Sequence, residues 1–518
     1  MINRFFDIIG SFKTRIFKCL VFCFCLISIS LFANNGKSKN KSKERDTTVL
    51  PHQEAYNLAG IRFKEDSLFT PEQMREDLLF YYDKVLKTHP NPYHVISKDS
   101  LEKKIVGILN SLDKPLNRRL FWLKIATLNA CFDAHTDIMK LGELYDYFWA
   151  NSKPKISRNQ ALDLVMVDAL GNLYFNPEYN DSALAGKHIK SINNIPANQL
   201  FEKFSTYYSH ENRTILPKLF AMNFFLLYAN TSGKVDSFKF EYINNDNTID
   251  VQTFYPVETP KNIASSTQTK QETEEKNIRL NLYEEYSMAI IELNTFSPEK
   301  LGENFRKDLE TMMATVIEKN IKHLFIDISR NGGGYSTCAV EILNFIKTQK
   351  KKYYDGSTEN KISPAYRALL IKNNSIINKE LNAPDGSIIK QDYHWTKNNA
   401  KIQYNQNFYL IQGFPTASAS ISLSSLVKFY KMGIIIGEET SGLTGGYSNV
   451  VCFAMPNTSI PFMCSTKKVL DIGGAMDGRG VLPDVEYKIS NPYKSFTLEQ
   501  LKEMLELVEE YKKKVVEP

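Results

Sequence analysis

Cysteine is scarce in this chain, with seven in 518 residues. Cys19, Cys23 and Cys25 sit in an N-terminal apolar run, which leaves Cys131, Cys338, Cys452 and Cys464 for the body. No two of these four have Cys-x-x-Cys spacing, so no zinc ribbon, dithiol redox site or disulfide-dense scaffold is encoded. Cys452 and Cys464 flank a Pro-Asn turn and could bridge two strands, although buried free thiols are the simpler reading. A Gly-rich phosphate loop ending in Gly-Lys-Ser/Thr is absent, and with it the nucleotide-hydrolysing classes that depend on one. An excess of charge is missing too. The formal net charge is +6, but residues 1–46 hold nine Lys/Arg against three Asp/Glu, and the remaining 55 basic and 55 acidic residues cancel. No basic face for nucleic acid follows.

The N-terminal bias has its own explanation. Basic residues through Lys18 precede CLVFCFCLISISLFA, residues 19–33, and Ala33 is a small residue where a signal peptidase could cut. Residues 1–33 therefore read as an export signal, which gives an expectation of a periplasmic or otherwise extracytoplasmic protein. A permanent anchor is the alternative if Ile16 and Phe17 extend the run towards the ~20 residues a spanning helix needs. Residues 34–64 are polar and lysine-rich, and read as a tether.

With 43% hydrophobic and 12% aromatic residues, the rest is ordinary globular composition, long enough for about three domains. TPEQMREDLLFYYDKVLKTHP starts with a Thr and Pro suited to N-cap and N1 and stops at Pro90. With LEKKIVGILNSL and NRRLFWLKIATLNACF it predicts a helical domain over residues 65–150. Residues 151–257 carry short strand-like runs, and GKHIKSINNIPANQLFEKF has a strand, Asn-Asn turn, strand and helix order that suits a PDZ-like peptide-binding module. An α/β insertion without a peptide groove has the same pattern. Residues 258–279, poor in apolar side chains, form a linker. Residues 280–490 then alternate strand and helix patterns: YSMAIIEL, FRKDLETMMATVIEKN, KHLFIDIS, a helix over TCAVEILNFIKT, FYLIQ, a serine-bearing helix and GIIIG. This predicts a parallel-rich α/β layer with active groups at the strand ends, to which VVCFAMP and SIPFMCS add an antiparallel hairpin. Residues 491–518 are an amphipathic C-terminal helix.

Three stretches can carry chemistry. After FYLIQ comes GFPTASASISLSSLVKFYK, which places Thr416, Ser418 and Ser420 at a strand-to-helix elbow. A serine there faces a cleft and feels the positive end of the helix; the bland alternative is an N-cap with small packing residues. Arg330-Asn331-Gly332-Gly333-Gly334 follows KHLFIDIS, and three glycines let backbone N–H groups approach a ligand. Without a following Lys-Ser/Thr, an oxyanion hole suits it better than a phosphate cradle. Asp133-Ala134-His135-Thr136-Asp137 offers a histidine with acidic neighbours, a pattern for a general base.

Together and in this order, these segments resemble the C-terminal processing (tail-specific) and tricorn-type serine peptidases. The matching pieces are DAHT at 133–136, the PDZ-like middle, FIDISRNGGG at 325–334, TASAS at 416–420, IIIGEETSG at 434–442 and GRGVLPDVE at 478–486. The resemblance implies a ClpP/crotonase-like core, a polypeptide substrate, and no metal or organic cofactor. In the processing branch a lysine serves Ser418 as base, but its position here is Leu443, which cannot take a proton. The tricorn-type branch implies instead Ser418 as nucleophile, His135 as base and Asp477 as the acidic residue, with Gly333 and Ala419 N–H groups holding the oxyanion. Two positions depart from that pattern: Ala134 stands where the branch has serine, and Asp477 where it has glutamate. These departures, with Leu443, point to the rival reading, a catalytically silent peptide-binding protein of the same fold. An α/β-hydrolase esterase lacks its Gly-x-Ser-x-Gly elbow around Ser418.

Overall fold

The computed structural model describes residues 49–60, 67–142, 152–153, 164–168, 170–176, 183–210, 215–233, 235–256, 277–347, 352–372, 378–397, 402–470, 479–489 and 494–516. The export signal, residues 34–48 and 61–64 of the expected tether, nearly all of the linker, and Asp477 lie outside them. Within the tether span, His52–Gly60 is a helix with Ala55 and Ala59 buried, not a solvated tether.

A six-stranded sheet organises the C-terminal half, in the order Ile278–Tyr283, Met288–Leu293, His323–Asp327, Asn407–Gln412, Ile434–Gly437, Val485–Glu486. Its first pair is antiparallel and every later pair parallel. Both faces of such a layer are covered, so its central strands are mostly apolar, and MAIIEL is buried throughout, Glu292 included. Alternation decides the partner. Ala289, Ile291, Leu324, Ile326 and Leu410 pack with the helices Phe305–Glu318 and Ala419–Phe429. Met288, Ile290, Phe325, Tyr409 and Ile411 face Leu501, Met504 and Val508 of the C-terminal helix Leu498–Val516.

An antiparallel sheet lies beside it, in the order Ile388–Thr396, Lys352–Lys361, Pro461–Leu470, Gly445–Ala454, with the short strand Asp137–Ile138 added to Pro461–Leu470. The expected hairpin is present, and Cys452 and Cys464 are buried free thiols within it. The helices Pro71–Thr88, Lys98–Ser111 and Arg118–Ile125 form where periodicity placed them, the first with a reciprocal capping box between Thr70 and Gln73. These helices share one apolar core with the hairpin and with a third sheet, built from Val165–Val167, Leu173–Phe175, His188–Ile192, Phe238–Ile243 and Ile249–Pro256 among its strands. In that sheet Asn193 and Asn194, both at positive φ, make the tight turn into Ile195–Pro196 and the helix Ala197–Ser205.

One expected helix is much reduced. TCAVEILNFIKT supplies only Ser336–Ala339 and a 3-10 turn, Glu341–Asn344. Ile342, Leu343, Phe345 and Ile346 are all buried, so no polar face remains, and Tyr404 takes the backbone instead: its N–H donates to Phe345 O, and its carbonyl accepts from Lys347 N. Tertiary pairing overrides local propensity here.

Candidate active site

Ser418 stands between the strand Asn407–Gln412 and the helix Ala419–Phe429. The elbow is stitched from below by Thr416, fully buried, whose hydroxyl accepts from Gly413 N at 3.0 Å and donates to Ile328 O at 2.9 Å. Thr416 thus ties the turn to the end of the neighbouring strand. Ser418 has φ 54° and ψ −122°, is exposed, and makes no capping bond through its side chain. A non-glycine residue in that region carries strain of about 1–3 kcal/mol and persists only where the surroundings impose it. The N-cap explanation for this serine is therefore gone, and the residue is left exposed.

The glycine loop packs directly on it. A Cβ on Gly333, φ 99°, would lie 2.7 Å from both Ala417 O and Ser418 Cβ and 3.1 Å from Ala419 N. Gly334, φ 142°, would collide with Phe296 at 2.2 Å. Phe296 also orients the loop: its N–H donates to Gly333 O, and its carbonyl accepts from Tyr335 N, each at 2.9 Å. One detail differs from the expected oxyanion geometry. The Gly333 N–H already donates to Asn331 Oδ1 at 2.9 Å. The N–H groups of Gly334 and Ala419 have no acceptor among the described residues. A trans peptide points its N–H away from its C=O, so anchoring Gly333 O on Phe296 turns the Gly334 N–H the other way. Beneath the loop, Arg330 contacts Glu292 and lies 3.5 Å from Asp327, and Glu292 is held in turn by Arg279 at 2.7 Å. Burial pushes the Asp327 carboxyl up, and the Arg330 charge offsets part of that.

His135 lies on the other sheet's side. Its N–H donates to Asp133 Oδ1 at 2.9 Å, and its ring lies against the Tyr447 backbone, with Lys467 near. Burial lowers its pKa, while Asp133 and the bond to Tyr447 work against that. Its Nδ1 is buried without a partner, and among the described residues no hydrogen bond joins it to Ser418. Asp133, Thr136 and Asp137, the neighbours that might have oriented the ring, are engaged elsewhere. Asp137 accepts from Ser209 at 3.0 Å, and Thr136 Oγ1 accepts from Ser465 N at 3.2 Å. Asp133 accepts from Ser465 Oγ at 2.8 Å and from His89 Nε2 at 2.7 Å. Since Asn91 N–H donates to His89 Nδ1, the His89 hydrogen sits on Nε2 and points at the carboxylate. Burial alone would raise the Asp133 pKa, but the hydrogen bond from His89, with His135 and Ser465, holds it well below the usual range.

His89 was not legible as part of a site. It reads only as the residue after a helix and before Pro90, and its partner is 44 positions away. Leu443, half-buried, follows Ser441, whose N–H and hydroxyl both donate to Thr416 O at 3.1 Å, so the empty lysine position does run beside the elbow. Asp477 lies outside the described residues; just after it, Arg479 pairs with Glu439 at 2.8 Å, and Gly480 N–H donates to Glu439 at 2.7 Å. Among the described residues no cluster of His, Cys, Asp and Glu has the arrangement of a metal site, and no helix is long and apolar enough to cross a membrane.

The chain is similar to known proteins in part of its sequence and in its fold. Residues 287–487 match the model of peptidase family S41. The fold is similar to that of mature CPAF, with a TM-score of 0.54 at 12% identity over 80% of this chain and 92% of that one. Mature CPAF complexed with lactacystin gives 0.53 at 12% identity, covering 80% and 93%. The photosystem II D1 C-terminal processing protease matches over 81% and 94% at 14% identity, with a TM-score of 0.41. No curated protein matches the chain in sequence.

Proposed function

We propose that this chain, whose residues 287–487 match the model of peptidase family S41, is a serine-type peptidase in which Ser418 is the nucleophile and polypeptides are the substrates. The observation that carries this reading is the elbow: an exposed serine at φ 54°, uncapped, with the glycine loop 2.7 Å from its Cβ if that loop bore a side chain. Such strain has no structural use at a residue that makes no capping bond.

In the mechanism, His135 takes the Ser418 proton as Oγ attacks a peptide carbonyl. The tetrahedral oxyanion is received by the Ala419 N–H, at the positive end of its helix, and by the glycine loop, where the Gly334 N–H stands open. His135 then protonates the leaving amine, and water hydrolyses the acyl-enzyme. By the family resemblance Asp477 is the acidic member of the set, and the His135 Nδ1 is buried without a partner among the described residues. His135 belongs to a segment attached to the antiparallel sheet and Ser418 to the parallel one, and catalytic hydrogen bonds are often loose before substrate binds. Residues 280–490 are read as a ClpP/crotonase-like core and residues 151–257 as a PDZ-like module that receives an extended peptide, in keeping with the strand, Asn-Asn turn and helix at 188–205. Export by residues 1–33 would put the enzyme outside the cytoplasm.

Hydrolysis of fluorescein-labelled casein by the mature chain tests this reading. Wild type should cleave it, while Ser418→Ala and His135→Ala should not. Turnover that survives in folded Ser418→Ala would sink the assignment, and an inert, folded wild type would favour the silent peptide-binding reading.

A further inference from the structure

Asn331 sits where three segments meet, and it is fully buried. Its Nδ2 donates to Leu293 O at 2.8 Å, at the end of the strand Met288–Leu293. Its Oδ1 accepts the Gly333 N–H at 2.9 Å, inside the glycine loop. Its own carbonyl accepts from Ala417 N at 3.2 Å, the residue before Ser418. Its N–H donates to Ile328 O at 2.9 Å, which is also the carbonyl that receives the Thr416 hydroxyl. One side chain and its peptide groups therefore join a strand end, the loop and the serine elbow.

From this we infer that Asn331 is a positioning residue for the peptidase reaction, setting the distance between the glycine loop and Ser418 and deciding which loop amide is open. The inference rests on Ser418 being the nucleophile. By holding the Gly333 N–H, the amide oxygen commits that donor to the loop and leaves the Gly334 N–H to the substrate side. By holding Ala417, the carbonyl fixes the serine relative to that donor. Asparagine suits the post because it offers a donor and an acceptor on one short planar group, both of which are used. An aliphatic side chain would leave the Leu293 carbonyl and the Gly333 N–H buried and unpaired, and the loop would relax. A misplacement of ~1 Å in such a site costs about 100-fold in rate.

The test is the concentration dependence of fluorophosphonate labelling, which separates probe binding (KI) from phosphonylation of the serine (kinact). Asn331→Ala should lower kinact about 100-fold and leave KI nearly unchanged. Asn331→Asp keeps the size and the acceptor for Gly333 but cannot donate to Leu293 when ionised; it should lose about tenfold. It decides the matter if the alanine variant does not fold. A folded Asn331 variant labelled within about threefold of wild type, or one in which only KI moves, overturns the inference. Ser418→Ala runs in parallel. Wild-type labelling that persists there shows that the nucleophile assignment has failed, and not the role of Asn331.

Discussion

Ser418 and Gly333 form one contact, and each explains the other's backbone. Gly333 needs φ 99° and the absence of a Cβ because the elbow lies against it, whereas Gly332, next in the chain, has nothing within 4 Å and no positive φ. Gly333→Ala should therefore destabilise the chain by about 1–3 kcal/mol and abolish casein hydrolysis. Gly332→Ala should leave both close to wild type. Urea denaturation and hydrolysis rates compare the pair, and equal effects would contradict the packing argument. His135 gives a second expectation. A base must be neutral to take a proton, and burial lowers this histidine's pKa from its ordinary value of 6.5. The acidic limb of kcat/KM should thus rise with pH around a midpoint below 6.5. A limb centred at or above that value would mean that another group is titrating, or that His135 is charged in the resting enzyme.

At the scale of elements, what could be read depended on whether an element shows water one face. The helix Pro71–Thr88 announces itself through Thr70, Pro71 and Pro90, because it has a buried stripe and an exposed one. The helix Leu216–Ser232 carries LPKLFAMNFFLLYANTS and gave no such signal, since its apolar residues run on without a polar stripe. Ile388–Thr396 gives no signal for the opposite reason, as an edge strand with mostly exposed side chains, whereas Lys352–Lys361 is polar in sequence, KYYDGSTENK, yet largely buried between two strands. The site divides in the same way. The elbow at Ser418 and Ala419 was legible because strand, turn and helix follow one another in sequence. Neither His89 nor the engagement of Gly333 by Asn331 was legible, since both depend on contacts that only folding creates. Asp77 is a further case. Fully buried on the Pro71–Thr88 helix, it accepts from Asn457 N and Nδ2 and from Thr458 N and Oγ1, at 2.6 to 3.0 Å, and so clamps the tip of the hairpin whose second strand pairs with Asp137–Ile138. Asp77→Ala strands several donors and should cost about 3 kcal/mol in urea denaturation. A loss below ~1 kcal/mol would show that water replaces the carboxylate.

Across the whole molecule, the proposed nucleophile belongs to the parallel sheet and the proposed base to a segment attached to the antiparallel one, and the chain from Ser441 to Tyr447 runs between them. The base's surroundings depend on a core shared by the N-terminal helices, the hairpin and the sheet of residues 164–256. Phe462 is a central member, fully buried, with ring centroids of Tyr81 at 4.9 Å, Phe453 at 5.1 Å and Phe80 at 6.2 Å. Phe462→Ala should cost about 3–5 kcal/mol, and hydrogen exchange should quicken in the Pro71–Thr88 helix as well as in the hairpin. Faster exchange confined to the hairpin would mean that the cores are separable. Above all these stands the claim that one strained serine, reached from the other layer, does the chemistry. Mass-spectrometric mapping of the residue that a fluorophosphonate modifies tests it most directly: the adduct should sit on Ser418, vanish in Ser418→Ala and form far more slowly in His135→Ala. An adduct on another residue, or none on the folded wild-type chain, would contradict it.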